Sequence, residues 1–69
     1  MSQCEKILEY MKLFGRISPA DALREFGCMR LAARISDLEH KGYMINHIPE
    51  SSVNRFGDVI HYMTYELVA

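Results

Sequence analysis

The chain has 69 residues, enough for one small domain, 1–69, and a domain of that size buries only about 60% of the surface its unfolded chain exposes. Hydrophobic residues make up 49% and charged residues 25%, which is the balance of a globular protein and excludes a disordered tail. No apolar run approaches the roughly 18 residues needed to cross a membrane, and no basic region followed by an apolar stretch marks the N-terminus, so a soluble, unexported protein with no membrane partner is expected. Eight Lys and Arg against nine Asp and Glu give a net charge of −1, which excludes a uniformly basic phosphate-binding surface.

Residues 3 to 14 place Cys4, Ile7, Leu8, Met11 and Phe14 at helical spacing, with Glu5, Lys6, Glu9 and Lys12 on the other side, and Gly15 stops the helix. Arg16-Ile17 reads as a short extended link. Ser18 as N-cap, Pro19 at the first helical position and Asp21 three residues after the cap then demand a second helix. It carries Ala22, Leu23 and Phe26 inward, Arg24 and Glu25 outward, and ends at Gly27.

After a tight turn, Gly27-Cys28-Met29, a third helix spans 29–41 and has two faces. At about 100° per residue Leu31, Ile35, Leu38 and Ala32 share one side, while Arg30, Ala33, Arg34, Asp37 and Lys41 share another. The second set combines small and basic residues, which suits a helix that must sit close to a phosphate backbone and reach base edges with long side chains. Taken alone, such a stripe is more often a solvated surface. Gly42 closes the helix, and His40 and Lys41 suit the negative end of its dipole.

Tyr43 to Ile48 reads as a strand ending at Pro49, which cannot donate a ladder hydrogen bond. Residues 50 to 58 form a polar loop with Gly57-Asp58 as its turn. Val59 to Val68, rich in β-branched and aromatic residues, is the return strand, with Met63, Tyr65 and Leu67 facing the core. Three helices followed by a C-terminal β-hairpin make an α+β chain in the order of a winged helix-turn-helix.

Little else in the chain suggests chemistry. Cys4 and Cys28 lie outside any metal-binding spacing and are expected reduced, as in a cytosolic protein. His40, His47 and His61 do not combine with them into a zinc pattern, and Ser51-Ser52 has no adjacent base or strand-to-helix elbow. The glycines form no phosphate-cradling loop. Neither cofactor, metal nor enzymatic activity is expected.

Ser18-Pro19-x-x-Ala22-Leu23-x-x-Phe26-Gly27, Met29-Arg30-Leu31-Ala32-Ala33-Arg34-Ile35-x-Asp37-Leu38 and Gly42-Tyr43-x-Ile45 together resemble a family of small phage and prophage winged helix-turn-helix domains. Its hallmark is an Arg-Leu-Ala-Ala-Arg-Ile-x-Asp-Leu run followed by Gly-Tyr-x-Ile. The likeness covers roughly residues 5 to 48, and Asn54-Arg55-Phe56-Gly57 is similar to the family's wing. It implies a protein that binds double-stranded DNA in the cytoplasm of a bacterial host, as a transcriptional regulator or recombination accessory factor.

By the same resemblance Arg30 and Arg34 lead the recognition helix, Ala33 permits close approach, and Arg55 is the wing residue. Lys41, Arg16 and Arg24 are then expected on phosphates, and Asp37 is expected to pair with Arg34, Arg30 or the wing. One module has a small footprint, so a homodimer or adjacent copies are expected. The wing is less basic than a DNA-binding wing usually is, because Glu50 and Asp58 flank Arg55. That charge balance motivates a second expectation, a winged helix that binds a host or phage protein instead of DNA.

Overall fold

The computed structural model describes residues 2–68, so Met1 and Ala69, the limits of the expected domain, lie outside it. Helix α1 (Gln3–Phe14) starts where Ser2 Oγ accepts the Glu5 backbone N–H at 3.2 Å and ends at Gly15, whose φ of +86° is open to glycine at low cost. Ile7, Leu8 and Met11 are buried as the spacing demands. Phe14 is not: it ends 68% exposed, with its ring stacked at a tilt on Tyr10 at 4.6 Å. The helical stripe points inward only where another element covers it, and α1 outruns its cover.

Helix α2 (Pro19–Phe26) begins with the expected capping box. The Asp21 N–H donates to Ser18 Oγ at 3.1 Å, and the Ser18 N–H donates to Asp21 Oδ2 at 3.0 Å. Gly27, at φ +63°, closes the helix in the left-handed region, its N–H donating to Leu23 O at 2.9 Å. The Cys28 N–H then reaches Ala22 O at 3.1 Å, which draws Cys28 into the core between the two helices. Leu23, expected inward, is more than half exposed, because α2 is only eight residues long and Ala22 alone takes the fully buried position.

Helix α3 (Leu31–His40) is shorter than the expected span. No side chain at 28–30 caps an earlier start, and Arg30 takes the N-cap position, so the turn runs on through Met29 and Arg30. Leu31, Ile35 and Leu38 are buried, but Ala32, expected beside them, is exposed. Gly42 ends the segment as expected, at φ +102° with its N–H on Glu39 O at 3.0 Å.

The strands depart most from the sequence expectation. Arg16–Ile17 is a true strand, β1, pairing antiparallel with β3 (Val59–Leu67), and β3 also pairs with β2 (Ile45–Val53), giving the order β1-β3-β2. The hairpin is therefore part of a three-stranded sheet. Strand β2 continues through Pro49, opposite Met63, to Val53. An edge strand has one side without a ladder, and a residue lacking an N–H is tolerated there. Tyr65 is buried, and Met63 and Leu67 are half-buried against the core, as the period of two predicts. Thr64, on the opposite face, is buried as well and donates its hydroxyl to Glu50 Oε2 at 3.0 Å.

One core joins these parts. Ile7, Leu8 and Met11 of α1 meet Leu31, Ile35 and Leu38 of α3, with Ile17, Ala22, Cys28, Ile45 and Tyr65 completing the cluster. Ile35 is 1% exposed, so Ile35→Ala is expected to lose about 2–5 kcal/mol in urea unfolding. The capping box has its own signature. Partial burial pushes the Asp21 carboxyl pKa up, but the Ser18 N–H and hydroxyl and the Arg24 guanidinium together outweigh this, and its pKa is lowered overall. A lowered folded pKa gives stability that is full above the unfolded value of about 4 and is lost as the pH falls through the folded one. Between about pH 5 and pH 3 the wild type should therefore lose stability more steeply than Asp21→Asn, as measured by urea midpoints at each pH.

Candidate nucleic-acid interface

The geometry of α3 follows from which of its residues are buried. Taking Leu31, Ile35 and Leu38 as the inward direction and about 100° per residue, Ala33, Ser36 and His40 point directly away from the core. Ala32 and Glu39 lie on one flank, Arg34 and Lys41 on the other. The Glu39 flank meets the sheet: His47 Nε2 lies 3.1 Å from Glu39 Oε2 and ties the base of β2 to the end of α3. The Arg34 flank meets α1, where Cys4 Sγ lies 3.9 Å from both Arg34 O and Asp37 Oδ2. Between these flanks Ser36 and His40 are exposed and Ala33 is half-buried.

Arg34 is therefore not free on the outward face. Its side chain is 36% exposed, its Nη2 pairs with Asp37 Oδ2 at 3.1 Å, and its buried Nε has no hydrogen-bond partner. The expected partner of Asp37 is thus Arg34, one helical turn back. An exposed pair at this spacing is worth only a few tenths of a kcal/mol, and the unbonded Nε holds nothing that must be broken. The guanidinium can leave Asp37 for a stronger acceptor at little cost.

The other basic positions divide clearly. Arg24 Nη2 is held by Asp21 Oδ1 at 2.8 Å, and Arg16 is shared between Glu66 at 3.3 Å and Glu50 at 3.8 Å. Both charges are offset by carboxylates of the fold. Among the described residues Arg30, Lys41 and Arg55 have no acidic partner within 4.0 Å, and all three are exposed. Lys6, which was not among the expected binding residues, is likewise unpaired. The three free cations of the expected set sit at the start of α3, at its end and on the tip of the hairpin.

The start of α3 also differs from the other two helix starts. Helix α1 has Ser2 and Glu5, and α2 has Ser18 and Asp21, so both carry a hydroxyl cap and a first-turn acid. Helix α3 has neither, and Arg30 stands at its N-cap without a side-chain hydrogen bond. Its first-turn N–H groups and the positive end of its dipole are left for an anion, beside a free guanidinium.

Sequence reasoning missed Ser36 and His40 as outward-facing and took Ala32 as inward, although centring the helical projection on the three buried aliphatic side chains sets Ser36 and His40 away from the core and Ala32 on a flank. His40 Nδ1 lies 2.7 Å from Ser36 O, which folds the ring back along the helix and keeps that face low. The hollows elsewhere are shallow and apolar. One, of about 330 Å³, is lined by Ser18, Pro19, Ala20, Ser52, Ile60 and Tyr62 and brings no acid–base pair together. Among the described residues no three His, Cys, Asp or Glu side chains converge on a metal position, and no helix is long and apolar enough to cross a membrane.

No curated protein and no solved structure gives a significant match to this chain. A family model described as a winged helix-turn-helix domain matches residues 2–68. With three helices, a β2–β3 wing and a match that runs through every element, the chain belongs to the winged helix-turn-helix domain family.

Proposed function

We propose that the chain works as a single DNA-binding domain of phage or prophage type, a transcriptional regulator or recombination accessory factor in the cytoplasm of a bacterial host, and not as an enzyme. The winged helix-turn-helix fold suggests DNA as the partner, but a fold alone does not assign a function. The observation that carries the reading is the start of α3, uncapped, free of acid and flanked by the unpaired Arg30. The phage assignment draws on the likeness of the Arg30–Leu38 run and of Gly42-Tyr43-x-Ile45 to the phage family.

On this reading α3 enters the major groove along its Ala33–Ser36 ridge. Arg30, and Arg34 once it leaves Asp37, form bidentate hydrogen bonds to guanine edges. Lys41, Arg55 and the open start of α3 hold phosphates. Arg16 and Arg24, already matched by Glu50, Glu66 and Asp21, contribute little. The small footprint favours a homodimer or adjacent copies on a repeated site.

A specific observation favours a second reading, in which a host or phage protein is the partner. Leu13, Phe14 and Leu23 are all more than half exposed on the α1 and α2 side of a chain whose net charge is close to zero. The two readings separate in one titration of labelled duplex from a randomised library at 50 and 200 mM salt. About three phosphate contacts predict a loss of roughly 40-fold in affinity between these salts. Arg30→Ala and Arg34→Ala should each weaken selected duplexes roughly tenfold or more, whereas Arg16→Ala should change affinity by less than about twofold. No binding at 50 mM salt would assign the domain to a protein partner.

Asp37 gives an independent check with the opposite sign. Asp37→Ala removes both the competitor for Arg34 and a carboxylate near the groove, so it should tighten binding by a few-fold. Weaker binding by a folded Asp37→Ala protein would mean that Arg34 acts only while held by its partner.

A further inference from the structure

The hairpin tip carries a feature that groove binding by α3 does not use. Phe56 is 83% exposed, next to the unpaired Arg55, at the end of the β2–β3 hairpin. Just behind it Val53 and Val59 face each other across the ladder, and both are exposed. We infer that the wing tip is an aromatic wedge: with Arg55 on the phosphates at the mouth of the minor groove beside the site of α3, Phe56 inserts at a base step, unstacking it and kinking the duplex. The inference rests on the DNA-binding reading of α3 and adds a second groove and a deformation to it.

The loop is built to hold an exposed ring in place. Asn54 Oδ1 accepts two backbone N–H groups, from Phe56 at 2.9 Å and from Asp58 at 3.0 Å. The Asn54 N–H donates to Asp58 O at 3.0 Å, and the Gly57 N–H donates to Asn54 O at 3.0 Å, with Gly57 at φ +85°. The ordering of residues 54–58 is thus complete before any duplex arrives, which lowers the entropy lost on insertion. The Asn54 Nδ2 group lies 3.4 Å from Asp58 Oδ2 and draws on the one carboxylate in the loop.

Reach and chemistry both favour a groove over a protein surface. His47 is fixed to Glu39 of α3 at 3.1 Å. From there to Arg55 the strand and turn extend by at most about 26 Å at roughly 3.3 Å per residue. The minor groove next to a helix seated in the major groove lies about half a helical turn away, roughly 17 Å. An unpaired guanidinium fits the negative potential of a narrow minor groove, and an apolar side chain beside it is the usual means of prying a base step apart. Val53 and Val59 then press on the sugar faces that line the groove. A purely apolar docking patch would have no use for Arg55.

The test uses duplexes selected from a randomised library, with 2-aminopurine in place of adenine at each pyrimidine–purine step in turn and donor and acceptor dyes at the two ends. Binding is followed by anisotropy on the same samples. The wild type is expected to raise 2-aminopurine fluorescence several-fold at one step and to shorten the end-to-end distance. Phe56→Ala should abolish both changes while binding persists at reduced affinity, and Phe56→Trp should restore them. A saturated wild-type complex with no fluorescence rise at any step and a straight duplex overturns the wedge and leaves groove binding by α3 intact. No complex at all overturns both. Sedimentation of the same proteins without DNA covers the remaining case: self-association that Phe56→Ala abolishes would assign the tip to a protein contact and overturn the wedge.

Discussion

The contact between α1 and α3 decides what the rest of the molecule can do. Ile7, Leu8 and Met11 receive Leu31, Ile35 and Leu38, and once those three aliphatic side chains are buried the rotation of α3 about its own axis has no freedom left. A helix turned by one residue, about 100°, would expose Leu38 and bury a charge, at a cost of several kcal/mol. The Ala33–Ser36 ridge faces outward for this reason, and Arg34 falls on the flank beside α1. Binding residues on such a helix are whatever the core leaves over.

Electrostatics follow the same division. Cations that lie where the fold supplies a carboxylate are taken up by it: Arg16 by Glu50 and Glu66 across the sheet, Arg24 by Asp21, Arg34 by Asp37, and Lys12 by Glu9. Each of these pairs is partly exposed and adds little stability by itself. Their larger effect is on the potential around the protein, because each cancels a positive charge locally, on α3 itself in the case of Arg34 and Asp37. Among the described residues Arg30, Lys41 and Arg55 are left without such a partner, so a net charge of −1 is compatible with local positive potential at each of them.

Features decided by neighbours in the chain were legible in the sequence, and features decided by distant partners were not. Ser18, Pro19, Asp21 and Gly27 act within one helix, so α2 is found with the expected ends. The alternation of Met63, Tyr65 and Leu67 likewise survives, because it depends only on the pleat. Arg16–Ile17 gives no local sign of being a strand, since its partner Glu66 stands 50 residues away. Pro49 reads as a stop until the sheet order shows it on an edge. The inward face of α3 was correct at Leu31, Ile35 and Leu38 and wrong at Ala32, because a small residue fits either side and the packing of α1 chose. The six basic candidates look alike in sequence. Arg24 and Arg34 have an acid three residues away in the chain, as Asp37 was expected to serve Arg34, but only the fold brings Glu50 and Glu66 beside Arg16.

If α3 binds DNA as proposed, so little net charge sets a particular constraint. The sequence-independent part of affinity comes from phosphates neutralised, and about three such contacts make that part weak at cellular salt. On that reading specific affinity has to come from contacts that depend on shape and base identity, with the proposed second copy adding to it. Weak non-specific binding also means few molecules lost to the many competing sites of a genome, so a modest specific affinity still yields a high occupancy ratio. On that reading, charge pairing at Arg16, Arg24 and Arg34, which looks like wasted binding potential when each residue is viewed alone, would serve discrimination. The same logic would give the inferred Phe56 wedge its value, since the cost of opening a base step depends on which step it is, and a protein with little electrostatic attraction can convert that difference directly into sequence preference.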